Sequence, residues 1–178
     1  MSSKNKEAEK ETEQTAPDMP INILAQYVRD LSFENPLAPD SLRSDQQQPE
    51  MDINIGMDAR KIPDDNTPNL YEVVLNLRAA AMRGEDPVFV VELQYGIAVV
   101  LNGVPEENHH PLLLIEVPRL AFPYARQIIS DTTTQGGYPP LILNPIDFQA
   151  LYMERFKDEI EASKKEAEEN SKKSKAKK

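Results

Sequence analysis

The side chains able to ligate, attack or shuttle protons are few, and their spacing limits them further. His109 and His110 are the only histidines and there is no cysteine. Adjacent rings diverge, and without a further Cys or His they complete no zinc-type site; a surface pair is expected. Asp30 and Glu34 lie four apart in an extended stretch. At ~3.3 Å per residue their carboxylates are about 13 Å apart, beyond the roughly 5–9.5 Å of a glycosidase pair. Asp30 and Glu92 could approach across strands, but an exposed sheet face offers little desolvation to tune a proton affinity. There is no Gly-x-Ser-x-Gly elbow, phosphate loop or Rossmann glycine pattern, and "GGYPP" (136–140) reads as a turn. These residues predict no enzyme, no metal and no cofactor.

The remaining chain is built for contact. Its 178 residues suit one domain with a real core. Of 20 basic and 30 acidic residues, the first 18 positions hold 3 and 5 and the last 18 hold 7 and 4, leaving a middle of net charge −11. That body disfavours nucleic acid, which needs clustered Lys and Arg, and suits a basic protein partner. The absence of cysteine fits a reducing compartment. No apolar run approaches 18 residues, so no membrane insertion is expected. The N-terminus lacks the apolar core of a signal peptide. A cytoplasmic protein is expected, with a disordered N-terminal segment (1–20), a folded domain (21–160), and a frayed helix end running into a Lys-rich tail (161–178).

Four stretches alternate with the period of a strand. In "INILAQYVRDLSFEN" (21–35), Ile23, Ala25, Tyr27, Leu31 and Phe33 share one face, and Gln26, Val28, Asp30, Ser32 and Glu34 the other. "EMDINIGMDA" sets Met51, Ile53, Ile55 and Met57 against Asp52, Asn54 and Asp58. "LYEVVLNLRAAA" opposes Tyr71, Val73, Leu75 and Leu77 to Glu72, Asn76 and Arg78. "VFVVELQYGIAVV" opposes Phe89, Val91, Leu93 and Tyr95 to Val88, Val90, Glu92 and Gln94, with a bulge expected at Gly96. Short turns predict an antiparallel meander. Its polar face collects Asp30, Glu34, Asp52, Asp58, Glu72 and Glu92 against a single Arg78.

Beyond Asn108 the pattern becomes helical, with Leu120, Tyr124, Ile128 and Asp131 at helical spacing. Pro118 and Pro123 should kink or restart this helix, and Gly136 and Gly137 should stop it. "TTTQGGYPPLILNPIDF" (132–148) then joins two glycines, three prolines and a run of large apolar residues with one charge. Asp147 is the expected N-cap of a last helix bearing Phe148, Leu151, Tyr152 and Arg155. The predicted class is α+β: a four-stranded antiparallel sheet with two C-terminal helices on its apolar face. Residues 112–129 are apolar on more than one side, which predicts a homo-oligomer.

"YVRDLSFENP" (27–36) and "LAFPYARQIISDTTTQGGYPPLILNPIDFQALY" (120–152) closely resemble the SecB family of bacterial protein-export chaperones, over residues 21–160. The resemblance implies a homotetramer built as a dimer of dimers. It implies ATP-independent holding of unfolded precursor proteins, kept translocation-competent and delivered to the translocase motor SecA. It places SecA binding at Asp30, Glu34, Val90 and Glu92, opposite a zinc-bearing basic tail of the motor, so any zinc belongs to the partner. It places the client groove at Met51, Ile53, Ile55, Phe148, Leu151 and Tyr152, with the final helix as a lid and residues 132–148 as its hinge. Tyr138, Leu141, Ile142 and Leu143 would line one wall. Two departures stand out: Gln47 lies in "SDQQQPE", where well-known members carry an aromatic, and the C-terminus is basic where theirs is acidic. The alternatives are a delivery adaptor that hands tagged proteins to an energy-dependent protease, and a small-molecule enzyme lacking any visible acid or base.

Overall fold

A computed structural model describes residues 19–43 and 47–157. The expected disordered head, apart from Met19 and Pro20, and the Lys-rich tail lie outside the described residues. Four long strands follow the alternating stretches: β1 (Ile21–Glu34), β2 (Glu50–Lys61), β3 (Leu70–Arg83) and β4 (Asp86–Leu101). All pairings are antiparallel. The β3–β4 hairpin is tight, while a longer loop (62–69) joins β2 to β3. Gly84 takes a positive φ of 63° between β3 and β4. In the β2–β3 loop, Asp64 Oδ1 accepts from the backbone N–H groups of Asn66 and Thr67.

The sheet is not the expected meander. Its order is β1-β4-β3-β2, so β1 pairs with β4 and the connector 35–49 crosses from one sheet edge to the other. A connector of that length is no hairpin turn, and alternation along a strand carries no information about which neighbour it takes. The result is a Greek-key arrangement.

The expected bulge at Gly96 is also absent: Gly96 pairs regularly with Val74 and Tyr27. The register instead shifts in β1, between Ile23 and Ala25 and between Val28 and Asp30. Each shift inserts one residue and reverses the strand's facing. Ala25 and Tyr27 therefore lie on the polar face and not with Ile23, Leu31 and Phe33. The second shift restores the parity, which returns Asp30, Ser32 and Glu34 to the polar face.

Helical backbone begins with a 3-10 turn at Glu106–Asn108 and runs from His109 through a widened π turn at Leu112–Glu116 into α1 (Val117–Gln135). Pro118 offers no N–H to the carbonyl of Leu114, and its ring would crowd that oxygen in a regular helix; the π turn lies where this conflict must be relieved. Pro123 sits inside α1 without ending it. Val117, Ala121, Ala125, Ile129 and Thr133 form the fully buried line, and its two alanines allow close approach to the sheet. The expected Leu120–Tyr124 line points outward, 49% and 56% exposed.

Gly136 and Gly137 end the helix as predicted, Gly137 at φ 89°. The last helix, α2 (Phe148–Arg155), starts at Asp147, whose Oδ1 accepts from Ala150 N at 2.9 Å. Phe148 packs edge-on against Phe122 with centroids 5.8 Å apart. The core thus joins the inner sheet face to α1 and α2.

The expected surface pair of histidines is corrected. His109 is buried: its Nε2 donates to Val104 O at 2.9 Å and its Nδ1 lies 2.9 Å from Tyr71 Oη. Both ring nitrogens are satisfied, which is what allows an imidazole inside. His110 faces the other way, with Nδ1 2.8 Å from Tyr152 Oη.

Candidate functional sites: a polar sheet face and an apolar groove

The outer face of the sheet is set by register. Glu34 pairs with Val90, Ser32 with Glu92 and Asp30 with Gln94. Paired residues project to the same side, so Asp30, Glu34, Val90 and Glu92 share one face on two adjacent strands. Among the described residues, neither Asp30 nor Glu34 has an ion pair.

Further along, the same face is less acidic than the single arginine expected from the pattern implies. Arg78 contacts Glu92 at 3.0 Å and Asp52 at 3.5 Å. Arg155 contacts Asp58 at 3.0 Å. Glu72, only 4% exposed, accepts from Tyr27 Oη and from Arg60 Nε at 2.5 Å, with Arg29 3.6 Å away. The Tyr27 hydroxyl, helped by Arg60 and Arg29, holds the Glu72 carboxyl below its usual value although burial opposes this. The same bond to Glu72 raises the Tyr27 phenol. The unneutralised charge is therefore concentrated at the Asp30–Glu34 end. Arg29 was missed because it sits in a β1 bulge, outside the alternation. Arg60 continues the parity of Asp52, Asn54 and Asp58 and pairs with Glu72, but lies just past the stretch read as alternating.

A groove lies at one end of the inner face. It encloses about 460 Å³ between the β1–β2 connector (Leu42, Gln47), the start of β2 (Met51), β4 (Phe89) and the proline-rich loop (Tyr138, Leu141). Its walls are tied together. Tyr138 Oη lies 2.9 Å from both Asn35 Oδ1 and Ser41 Oγ, and 3.2 Å from Val88 O. Arg83 Nε donates to Gln47 O at 2.7 Å. Thr133 Oγ1 accepts from Leu141 N at 3.0 Å and folds the loop back on α1. Gln47, where an aromatic would be expected, lines the opening with an amide.

The inner face of β2 is buried at Met57 and uncovered toward this groove. Met57 is buried, Ile55 is half-buried, and Ile53 and Met51 are 44% and 39% exposed. A smaller cleft of about 130 Å³ brings Ile55 and Leu151 together where α2 meets β2. Arg155 Nη1 holds α2 there by donating to Met57 O at 2.6 Å. Phe148 and Tyr152 are core residues in this conformation, 1% and 8% exposed. Of the wall expected from the loop, Tyr138 and Leu141 line the groove, Leu143 is buried and Ile142 faces out. Sequence reasoning missed Phe89, a strand residue that looked like ordinary core. It stacks on Phe33 at 5.8 Å and lies 4.7 Å from the Tyr138 ring.

Among the described residues no group of three or more His, Cys, Asp or Glu could hold a metal, and no helix is long and apolar enough to cross a membrane.

Comparison with known proteins gives this geometry a lineage. The family model for SecB, preprotein translocase subunit, matches residues 12–159. The protein-export protein SecB of Caulobacter sp. (strain K31) is 53% identical over 135 residues, covering 76% of this chain and 80% of the relative. The protein of the same name from Bartonella quintana (strain Toulouse) is 50% identical over 137 residues, covering 77% and 84%. The fold is shared with a SecB-like chaperone of Mycobacterium tuberculosis, solved in complex with a ChAD peptide from the HigA1 antitoxin. That match has TM-score 0.55 at 15% identity and covers 71% of this chain and 88% of that one. With a family model spanning most of its length and half its aligned residues identical to bacterial relatives, this chain belongs to the SecB family.

Proposed function

We propose that the protein is an ATP-independent export chaperone. It holds unfolded precursor proteins in the groove, keeps them competent for translocation and passes them to SecA in the bacterial cytoplasm, without catalysis or a cofactor. The folded domain of residues 21–160 acts as a homotetramer, a dimer of dimers. The observation that carries this reading is an open apolar groove, walled by hydrogen-bonded loops, in a chain whose family exports proteins. Met51, Ile53, Ile55 and Leu151 are the client-contacting residues. Phe148 and Tyr152 join them only when α2 lifts from the sheet as a lid.

The energetics favour a holdase with no sequence code. Burying about 500 Å² of apolar surface is worth roughly 12 kcal/mol gross, against about 4–15 kcal/mol for association and ordering. One groove binds weakly. A single unfolded chain wrapped over several grooves gains ~10²–10⁴ by effective concentration. Folded proteins expose no continuous apolar segment and are passed over.

SecA docks on the outer face at Asp30, Glu34, Val90 and Glu92. This reading is supported by their common facing and by the lack, among the described residues, of an ion pair to Asp30 or Glu34. The exposed Leu120 and Tyr124 of α1 supply the apolar surface for assembly.

The test is refolding of a slow-folding protein diluted from denaturant, without ATP. Arrest at roughly one tetramer per client, with no effect on the folded client, is expected. No arrest at large excess, with retention of one tagged protein instead, would replace the holdase by a protease-delivery adaptor.

A further inference from the structure

The outer face holds one concavity beside the docking residues. It encloses about 330 Å³ and is bordered by Asp30, Asn54, Gly56, Asn76, Arg78, Glu92 and Gln94. Gly56 leaves its floor open, since the nearest atom a Cβ would meet is Asn76 Cβ at 3.6 Å. The rim has two carboxylates and three amide side chains, a set that offers acceptors to a cation. One cation already sits there: Arg78 reaches from β3 to Glu92 at 3.0 Å and to Asp52 at 3.5 Å. All three side chains are substantially exposed, at 43%, 52% and 62%.

From this arrangement we propose that Arg78 is an internal competitor for SecA, occupying Glu92 and Asp52 until a Lys or Arg side chain of the motor enters the concavity over Gly56 and displaces it. The inference rests on the docking reading above and adds to it the seat of the incoming cation and the group it must replace. Exposed ion pairs are weak and screened by salt, so displacement is cheap. The pair nevertheless subtracts from affinity and selects for a partner that brings its own positive charge. Asp30 and Glu34, without ion pairs among the described residues, attract the partner first; Glu92 is won by exchange.

Isothermal titration of the full-length protein with SecA at low ionic strength tests this with three variants. Glu92→Lys should weaken binding. Arg78→Gln should tighten it, roughly 2- to 5-fold, with the gain fading at high salt. Gly56→Leu, which fills the concavity without changing charge, should weaken it. Unchanged affinity in Glu92→Lys would overturn the docking site itself. Weaker binding in Glu92→Lys with no gain in Arg78→Gln would leave the docking site standing and overturn Arg78 as competitor. Unchanged affinity in Gly56→Leu would overturn the concavity as the seat of the cation.

Discussion

The ring of Tyr27 lies directly on Gly96, in the space that the Cβ of any other residue would fill. Gly96 has no positive φ, so it is required for room and not for backbone freedom. The contact places the Tyr27 hydroxyl on Glu72, two strands away across the polar face. Gly96→Ala is therefore expected to dislodge the ring and destabilise the protein by about 1–3 kcal/mol. Urea unfolding at fixed protein concentration measures this, and the cost should largely vanish in a Tyr27→Ala background. A full cost in that background would show that Gly96 serves something other than the ring.

The Glu72 cluster predicts a pH dependence of stability. Its carboxyl is held below the ordinary 4.5 in the folded protein, first by Tyr27 and then by Arg60. A depressed folded value means that the contribution is fully present above 4.5 and is lost as pH falls through the lower folded value. The Tyr27 phenol is raised above 10.0, so its contribution is present below that value and lost as pH climbs through the raised one. Glu72→Gln should cost roughly 1–3 kcal/mol at neutral pH and flatten the acid limb of the unfolding profile. An unaltered acid limb would assign it to other carboxylates.

Leu141 and Leu143 separate groove from core. Leu141 lines the groove, whereas Leu143 is buried. Leu141→Ser should weaken arrest of client refolding with a small loss of stability. Leu143→Ser should lower stability by about 2–4 kcal/mol through a cavity and a buried hydroxyl. If both changes leave client affinity and stability untouched, the loop is only a connector.

The outward Leu120 and Tyr124 should matter for assembly. Replacing both with Lys places charge in the proposed apolar interface and is expected to split the proposed tetramer in sedimentation equilibrium, while circular dichroism stays native-like. An intact tetramer would move the interface off this side of α1.

The α+β class, the four strands, the stop at Gly136–Gly137 and the Asp147 cap were all legible in the sequence, because each follows from local rules: side-chain period, glycine conformations and a carboxylate one turn before free N–H groups. Asp30, Glu34 and Glu92 could be placed on one face for the same reason. The placement of β1 beside β4, and the two register shifts that carry Tyr27 to the polar face, came only from the tertiary structure. Strand order and register depend on which long-range pairing buries the most surface, and no local pattern encodes that. Burial of His109, the internal partners of Glu72, and the division of the proline-rich loop into a groove wall and a core anchor share that origin. Each depends on atoms that lie far apart in the sequence and meet only when the chain closes.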